Sequence, residues 1–178
     1  MDVPAFVHAI HDAGLSEWLR SSLKAMPVVE AIHVMSAAVV FGTIAIVDLR
    51  LLGVMSMQRA YSRIHGELLR WTWGAFIVSV VTGILLFVVN SVTYWGNTAF
   101  RLKMLALVLA GINMALFEFG VGRDTASWDK GAVPPRARLA GAISLTIWVA
   151  VIFVARWIGF TKGYDFSIPA GVDFDFSQ

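Results

Sequence analysis

Four long apolar runs set the pattern of this chain. Residues 31–47, 71–100, 104–117 and 139–155 contain no Asp, Glu, Lys or Arg. A bilayer core takes roughly 20 mostly apolar residues per helix. The second run exceeds that length, and the first and fourth reach it with their flanks. The third needs Lys103 or Glu118, or both, at the membrane boundary. The pattern predicts spans over about 27–54, 70–92, 98–121 and 137–160. Pro27 suits a helix start, where its missing N–H costs little. Pro134-Pro135 breaks the chain before the fourth span.

Ahead of these runs, residues 3–25 read as one or two short amphipathic helices with a break at Gly14. Phe6, Val7, Ile10, Leu15, Trp18, Leu19 and Leu23 form the apolar side. Such a segment either lies in the membrane interface or caps the mouth of the bundle. The expected fold is all-α: a four-helix antiparallel transmembrane bundle with an N-terminal amphipathic interfacial helix. Its parts are an interfacial segment (1–26), a transmembrane domain (27–162) and an extramembrane C-terminal tail (163–178).

Composition agrees. The 178 residues are 58% hydrophobic and 15% charged, against about 25% charged in soluble domains. The net charge of +2 is not gathered in a stripe, so nucleic acid is not an expected partner. With no cysteine, disulfides, iron–sulfur clusters and thiol catalysis are excluded. The start, Met1-Asp2 with His8, His11, Asp12 and Glu17 following, lacks the basic opening and early apolar core of a signal peptide. The first span is therefore expected to serve as an uncleaved membrane signal.

Basic residues set the orientation. Arg50, Arg59, Arg63 and Arg70 lie between the first two spans, and Arg123, Lys130, Arg136 and Arg138 between the last two. They outnumber Arg20, Lys24, Arg101, Lys103, Arg156 and Lys162 on the other side. The positive-inside rule then puts both termini outside. In a bacterium that means the periplasm, with the bundle in the cytoplasmic (inner) membrane. The acidic tail 164–178 fits that side.

Ionisable residues within spans are costly and point to function. Glu30 and His33 are three apart and share a helix face; a carboxylate beside an imidazole can fix its tautomer. Arg101 and Lys103 fall at similar depth on the third span. The four could meet around one cavity. His33 would serve as an axial haem ligand or a proton acceptor at a quinone head, Glu30 as its orienting partner, and Lys103 with Arg101 as an anion clamp. The alternative is a hydrogen-bond network that pins two helices, with Lys103 snorkelling. Of the other histidines, His65 lies before the second span, and His8 and His11 lie on the amphipathic segment. A second axial position would be open or filled by His8, His11, Lys103 or Met35. Asp48, Arg50 and Glu118 are expected to form ion pairs at the inner end; the competing reading is a proton path from Glu118 through Asn113.

The run Glu30-Ala-Ile-His33, then Gly42 and Asp48-Leu-Arg50-Leu-Leu-Gly53, resembles an uncharacterised family of small bacterial four-helix membrane proteins. Trp73-Gly74, Thr82-Gly83, Tyr94, Asn97, Phe100, Lys103 and Asn113 extend the likeness. A histidine early in one helix and a lysine early in a later one is distantly similar to the HemJ-type protoporphyrinogen oxidases and to the membrane domain of the copper-resistance protein D family. The resemblance implies haem b binding through His33 and Lys103. Near the end of the third span, where relatives of the closer family often place a histidine, this chain has Glu118.

The leading expectation is a membrane redox protein that binds haem b, or a porphyrin- or quinone-like ligand, near the outer leaflet. Absence of any cofactor stands beside it. The runner-up is a non-catalytic transmembrane subunit of a larger complex or a homo-oligomer, and a small carrier or channel ranks third. No HExxH motif, phosphate loop or dinucleotide fingerprint occurs.

Overall fold

The computed structural model describes residues 3–55, 60–129 and 131–161. Among them the chain is all-helical. Two short helices, α1 (Ala5–His11) and α2 (Gly14–Ser21), precede α3 (Ala25–Leu51) and α4 (Tyr61–Val89). The short α5 (Ser91–Gly96) leads into α6 (Thr98–Phe119); a 3-10 turn (Val121–Asp124) and α7 (Thr125–Trp128) then lead to α8 (Pro135–Thr161). Helices α3, α4, α6 and α8 are each long and apolar enough to cross a membrane. The tail 163–178, Lys162, Arg59 and Lys130 lie outside the described residues.

The four long helices run alternately up and down. Helix α3 packs along α4, α6 along α8, and the two pairs join through α3 and α8. Helices α4 and α6 make at most marginal contact, which leaves a seam on that side. Val34, Ile77, Leu105, Leu116 and Phe153 face outward. A soluble protein rarely exposes so much contiguous apolar surface; a bilayer accepts it.

Packing concentrates at the two ends. At the end that carries the α3–α4 connection (the loop end), Leu51, Tyr61, Trp128, Val133 and Ala137 form a buried cluster. At the opposite end (the termini end), Tyr94, Ala99 and Ile158 are buried against Phe87, Phe100 and Val154. Within the loop end, Gly141 lets α8 pass close to α3. A Cβ there would lie 3.0 Å from the Leu51 Cβ and 3.2 Å from the Asp48 carbonyl. Small residues allow such approach of membrane helices.

Local chemistry explains the helix ends. Helix α3 stops in a Schellman motif: Gly53 takes φ 78°, its N–H donates to Arg50, and the Val54 N–H donates to Leu49. Glycine takes that left-handed conformation without the Cβ penalty. Asn97 caps α6 by accepting from the Phe100 N–H at 3.0 Å. Its amide donates to the Thr161 hydroxyl at 3.0 Å, tying the start of α6 to the end of α8.

The amphipathic segment caps the bundle. Val7 and Ser16 are fully buried. Ser16 donates to the Val88 carbonyl at 3.3 Å, and Ser91 donates to the Val7 carbonyl at 3.2 Å. Phe6 meets Trp95 edge-on, with ring centroids 5.3 Å apart. One boundary differs from expectation: α4 begins at Tyr61 rather than near residue 70. His65 therefore sits within the helix and inside the bundle, not before it.

Candidate functional site

His33 lies two turns into α3, half-buried, with its ring turned toward α4. Its Nδ1 is 3.0 Å from the Ser79 carbonyl oxygen and 3.0 Å from the Thr82 hydroxyl. A carbonyl only accepts, so the bond to Ser79 places the proton on Nδ1. In that neutral tautomer Nε2 keeps its lone pair. Thr82 is 7% exposed, and its hydroxyl also donates to the Val78 carbonyl at 2.7 Å. The imidazole is thus locked from α4.

Gly83 makes room for the ring. A Cβ at residue 83 would stand 3.2 Å from the His33 Cε1. Lys103 is half-buried on α6. Among the described residues no hydrogen bond or ion pair holds its ammonium.

Two expected members of this site lie elsewhere. Glu30 is exposed, and among the described residues it makes no hydrogen bond. The orienting role expected for it falls to Ser79 and Thr82: three residues along a helix share a face, but the His33 ring turns into the α3–α4 contact and away from the carboxylate. Arg101 is exposed, and its guanidinium donates twice to the Trp95 carbonyl, at 3.1 and 2.8 Å. Residues two apart on a helix do not face the same way, so Arg101 and Lys103 form no common clamp.

The other histidines do not supply a second imidazole at this depth. His11 is engaged by Arg20 and Asp12 on the cap, and its hydrogen bond holds the Asp12 carboxyl below the ordinary range. His8 is exposed on α1. Met35, two residues beyond His33, is exposed on another face of α3. Among the described residues no group of three metal-ligating side chains occurs. The chemistry at His33 fits a group bound through one imidazole: Nδ1–H is fixed by a backbone acceptor, as is usual for histidine ligands. It does not fit a bis-histidine haem.

A second polar cluster sits at the loop end. His65 Nε2 is 3.1 Å from Glu118, and His65 stacks on Tyr61 with centroids 5.4 Å apart. Asp48 and Ser144 both line a cavity at this end. Arg50, fully buried, donates to the Asp129 carbonyl at 3.3 Å. The Asp129 carboxylate in turn accepts from the Ser62 N–H at 2.7 Å and its hydroxyl at 2.9 Å, which caps the start of α4. The ion pairs expected among Asp48, Arg50 and Glu118 are replaced: Glu118 meets His65, and Asp48 makes no ion pair among the described residues. The chain reversal at Gly53 and the unexpectedly early start of α4 account for this, because they bring His65 and Tyr61 to the Glu118 side chain. The Asn113 amide donates to the Ala140 carbonyl at 3.1 Å and so fastens α6 to α8.

A cavity of about 240 Å³ opens between these four helices. It runs from Tyr61, His65 and Glu118 up to Val40, Phe76 and Leu107. His33 stands seven residues above Val40, or about 10 Å along the helix, so the two polar clusters are separate.

Comparison with curated proteins and comparison with solved structures each found no match. A family model matches residues 24–161, all four long helices, and by that match the chain belongs to DUF6644, a family of unknown function.

Proposed function

We propose that this chain is an integral membrane redox protein that binds haem b, or a porphyrin- or quinone-like ligand, through His33 near the termini end of the bundle. The observation that carries this is the locked imidazole: Nδ1 is held by Ser79 and Thr82, so Nε2 is the atom offered to a ligand. Lys103 is half-buried on α6 with no hydrogen bond or ion pair among the described residues, and a partly buried ammonium without a partner favours an anionic or electron-rich ligand. The excess of basic residues at the loop end supports a position near the outer leaflet.

The residues divide the work. His33 presents a lone pair as ligand or proton acceptor. Ser79 and Thr82 hold the ring and its tautomer. Lys103 attracts a propionate, a porphyrin carboxylate or a quinone oxygen. A haem held there would supply one-electron chemistry. The seam between α4 and α6 gives a lipid-soluble partner a path from the bilayer.

The test is to extract whatever co-purifies with the full-length protein and identify it by mass spectrometry, beside His33→Ala and Lys103→Ala. The expected result is a haem, porphyrin or quinone at a fixed ratio to the chain, lost from His33→Ala and depleted from Lys103→Ala. If the wild type carries none of these and instead co-purifies with fixed companion chains, the protein is a transmembrane subunit of a complex.

A further inference from the structure

The loop-end cavity plays no part in the chemistry at His33, yet it has the marks of a built site. Asp48 and Tyr61 both line it and are 4% and 2% exposed. Among the described residues, the Asp48 Oδ2 and the Tyr61 hydroxyl have no hydrogen-bond partner. Buried polar atoms are paired in the great majority of cases, and leaving one unpaired is costly. Both residues line the same cavity, together with Glu118 and Ser144. His65, bonded to Glu118 at 3.1 Å, completes the polar wall.

The rest of the lining is apolar and aromatic, with Trp73 and Trp148 among it. No lysine or arginine lines the cavity among the described residues. An anionic ligand would thus meet two carboxylates and no fixed cation. A lipophilic molecule with a donor head would meet an open acceptor, a free phenol and aromatic walls. Pockets of this kind, apolar with a few convergent polar groups, orient small ligands.

We propose that the loop-end cavity is a second binding site, separate from His33, for a small aromatic molecule bearing a hydroxyl or amino group. Its O–H or N–H donates to Asp48, and Tyr61 bonds the same head group. The ring lies among the aromatic side chains, and entry is through the seam between α4 and α6.

The experiment is a saturation binding assay of radiolabelled β-naphthol on full-length protein in nanodiscs, competed with naphthylmethylamine and with β-naphthoate. Saturable binding that the amine displaces and the carboxylate does not is the expected result. Tyr61→Phe and Asp48→Asn should each weaken it by about tenfold, the usual scale for one lost hydrogen bond to a buried or charged group. Tyr61→Phe keeps the ring and its packing, so it stands as the test if Asp48→Asn does not fold. His33→Ala should bind β-naphthol as the wild type does, which separates this site from the other. Equal competition by β-naphthoate, wild-type affinity in Tyr61→Phe, or no saturable binding at all would overturn the proposal.

Discussion

At the scale of single residues, the state of His33 rests on Thr82 and Gly83. Thr82→Val keeps the shape and removes one bond to Nδ1 while the Ser79 carbonyl remains. We expect a loss of about 1 kcal/mol in unfolding measured in detergent, with the ligand retained but its spectrum shifted. Gly83→Ala must push the imidazole by a few tenths of an ångström, because the new Cβ would stand 3.2 Å from it. Ligand binding should suffer more than stability, read as occupancy against melting temperature. Gly83→Ala with full occupancy would show that the ring position is unimportant. His33 is legible in the sequence because an ionisable group inside an apolar run is conspicuous, and Lys103 because it falls within the predicted third span. Ser79 and Thr82 are not: serine and threonine within membrane helices commonly bond their own backbone, as Thr82 also does, and only the packing of α3 on α4 reveals the second role. Glu30 and Arg101 mislead for the opposite reason, since spacing along a helix says which residues can share a face but not where each side chain turns.

At the scale of elements, apolar runs locate all four long helices and Pro134-Pro135 marks the start of the last, whereas the ends at Gly53 and Asn97 are set by local hydrogen bonds seen in the structure. The start of α4 is the exception. Arg63, Glu67 and Arg70 make its first turns look like a loop, but a helix can leave the hydrocarbon without ending. Its first turns are held by Asp129 from the far side of α6, a partner that no window of the sequence shows. That displacement hid the Tyr61, His65 and Glu118 cluster. The close approach of α3 and α8 gives a sharp expectation. Gly141→Val drives a side chain against the Asp48 carbonyl and Leu51, and backbone cannot yield cheaply. It should cost about 1–3 kcal/mol, the usual penalty of overpacking, seen as a lowered melting temperature. Gly53→Ala, forced into a left-handed conformation, should cost about 1–2 kcal/mol by the same measurement.

At the scale of the whole molecule, two helix pairs meet along one side and part along the other, with a polar cluster near each end. Orientation can be tested cleanly because the chain has no cysteine. Leu23→Cys on the cap and Arg123→Cys at the loop end are both exposed. In intact cells a membrane-impermeant maleimide should label residue 23 and spare residue 123; the reverse pattern would place His33 at the inner leaflet. The central claim is that His33 holds a redox ligand, and an absorption spectrum tests it most directly. Full-length protein purified from haem-replete cells would be measured oxidised and dithionite-reduced, beside His33→Ala. The account predicts bands from a haem, porphyrin or quinone in the wild type that change on reduction and disappear in the variant. A wild type with no such bands, or a His33→Ala spectrum identical to it, would contradict the account.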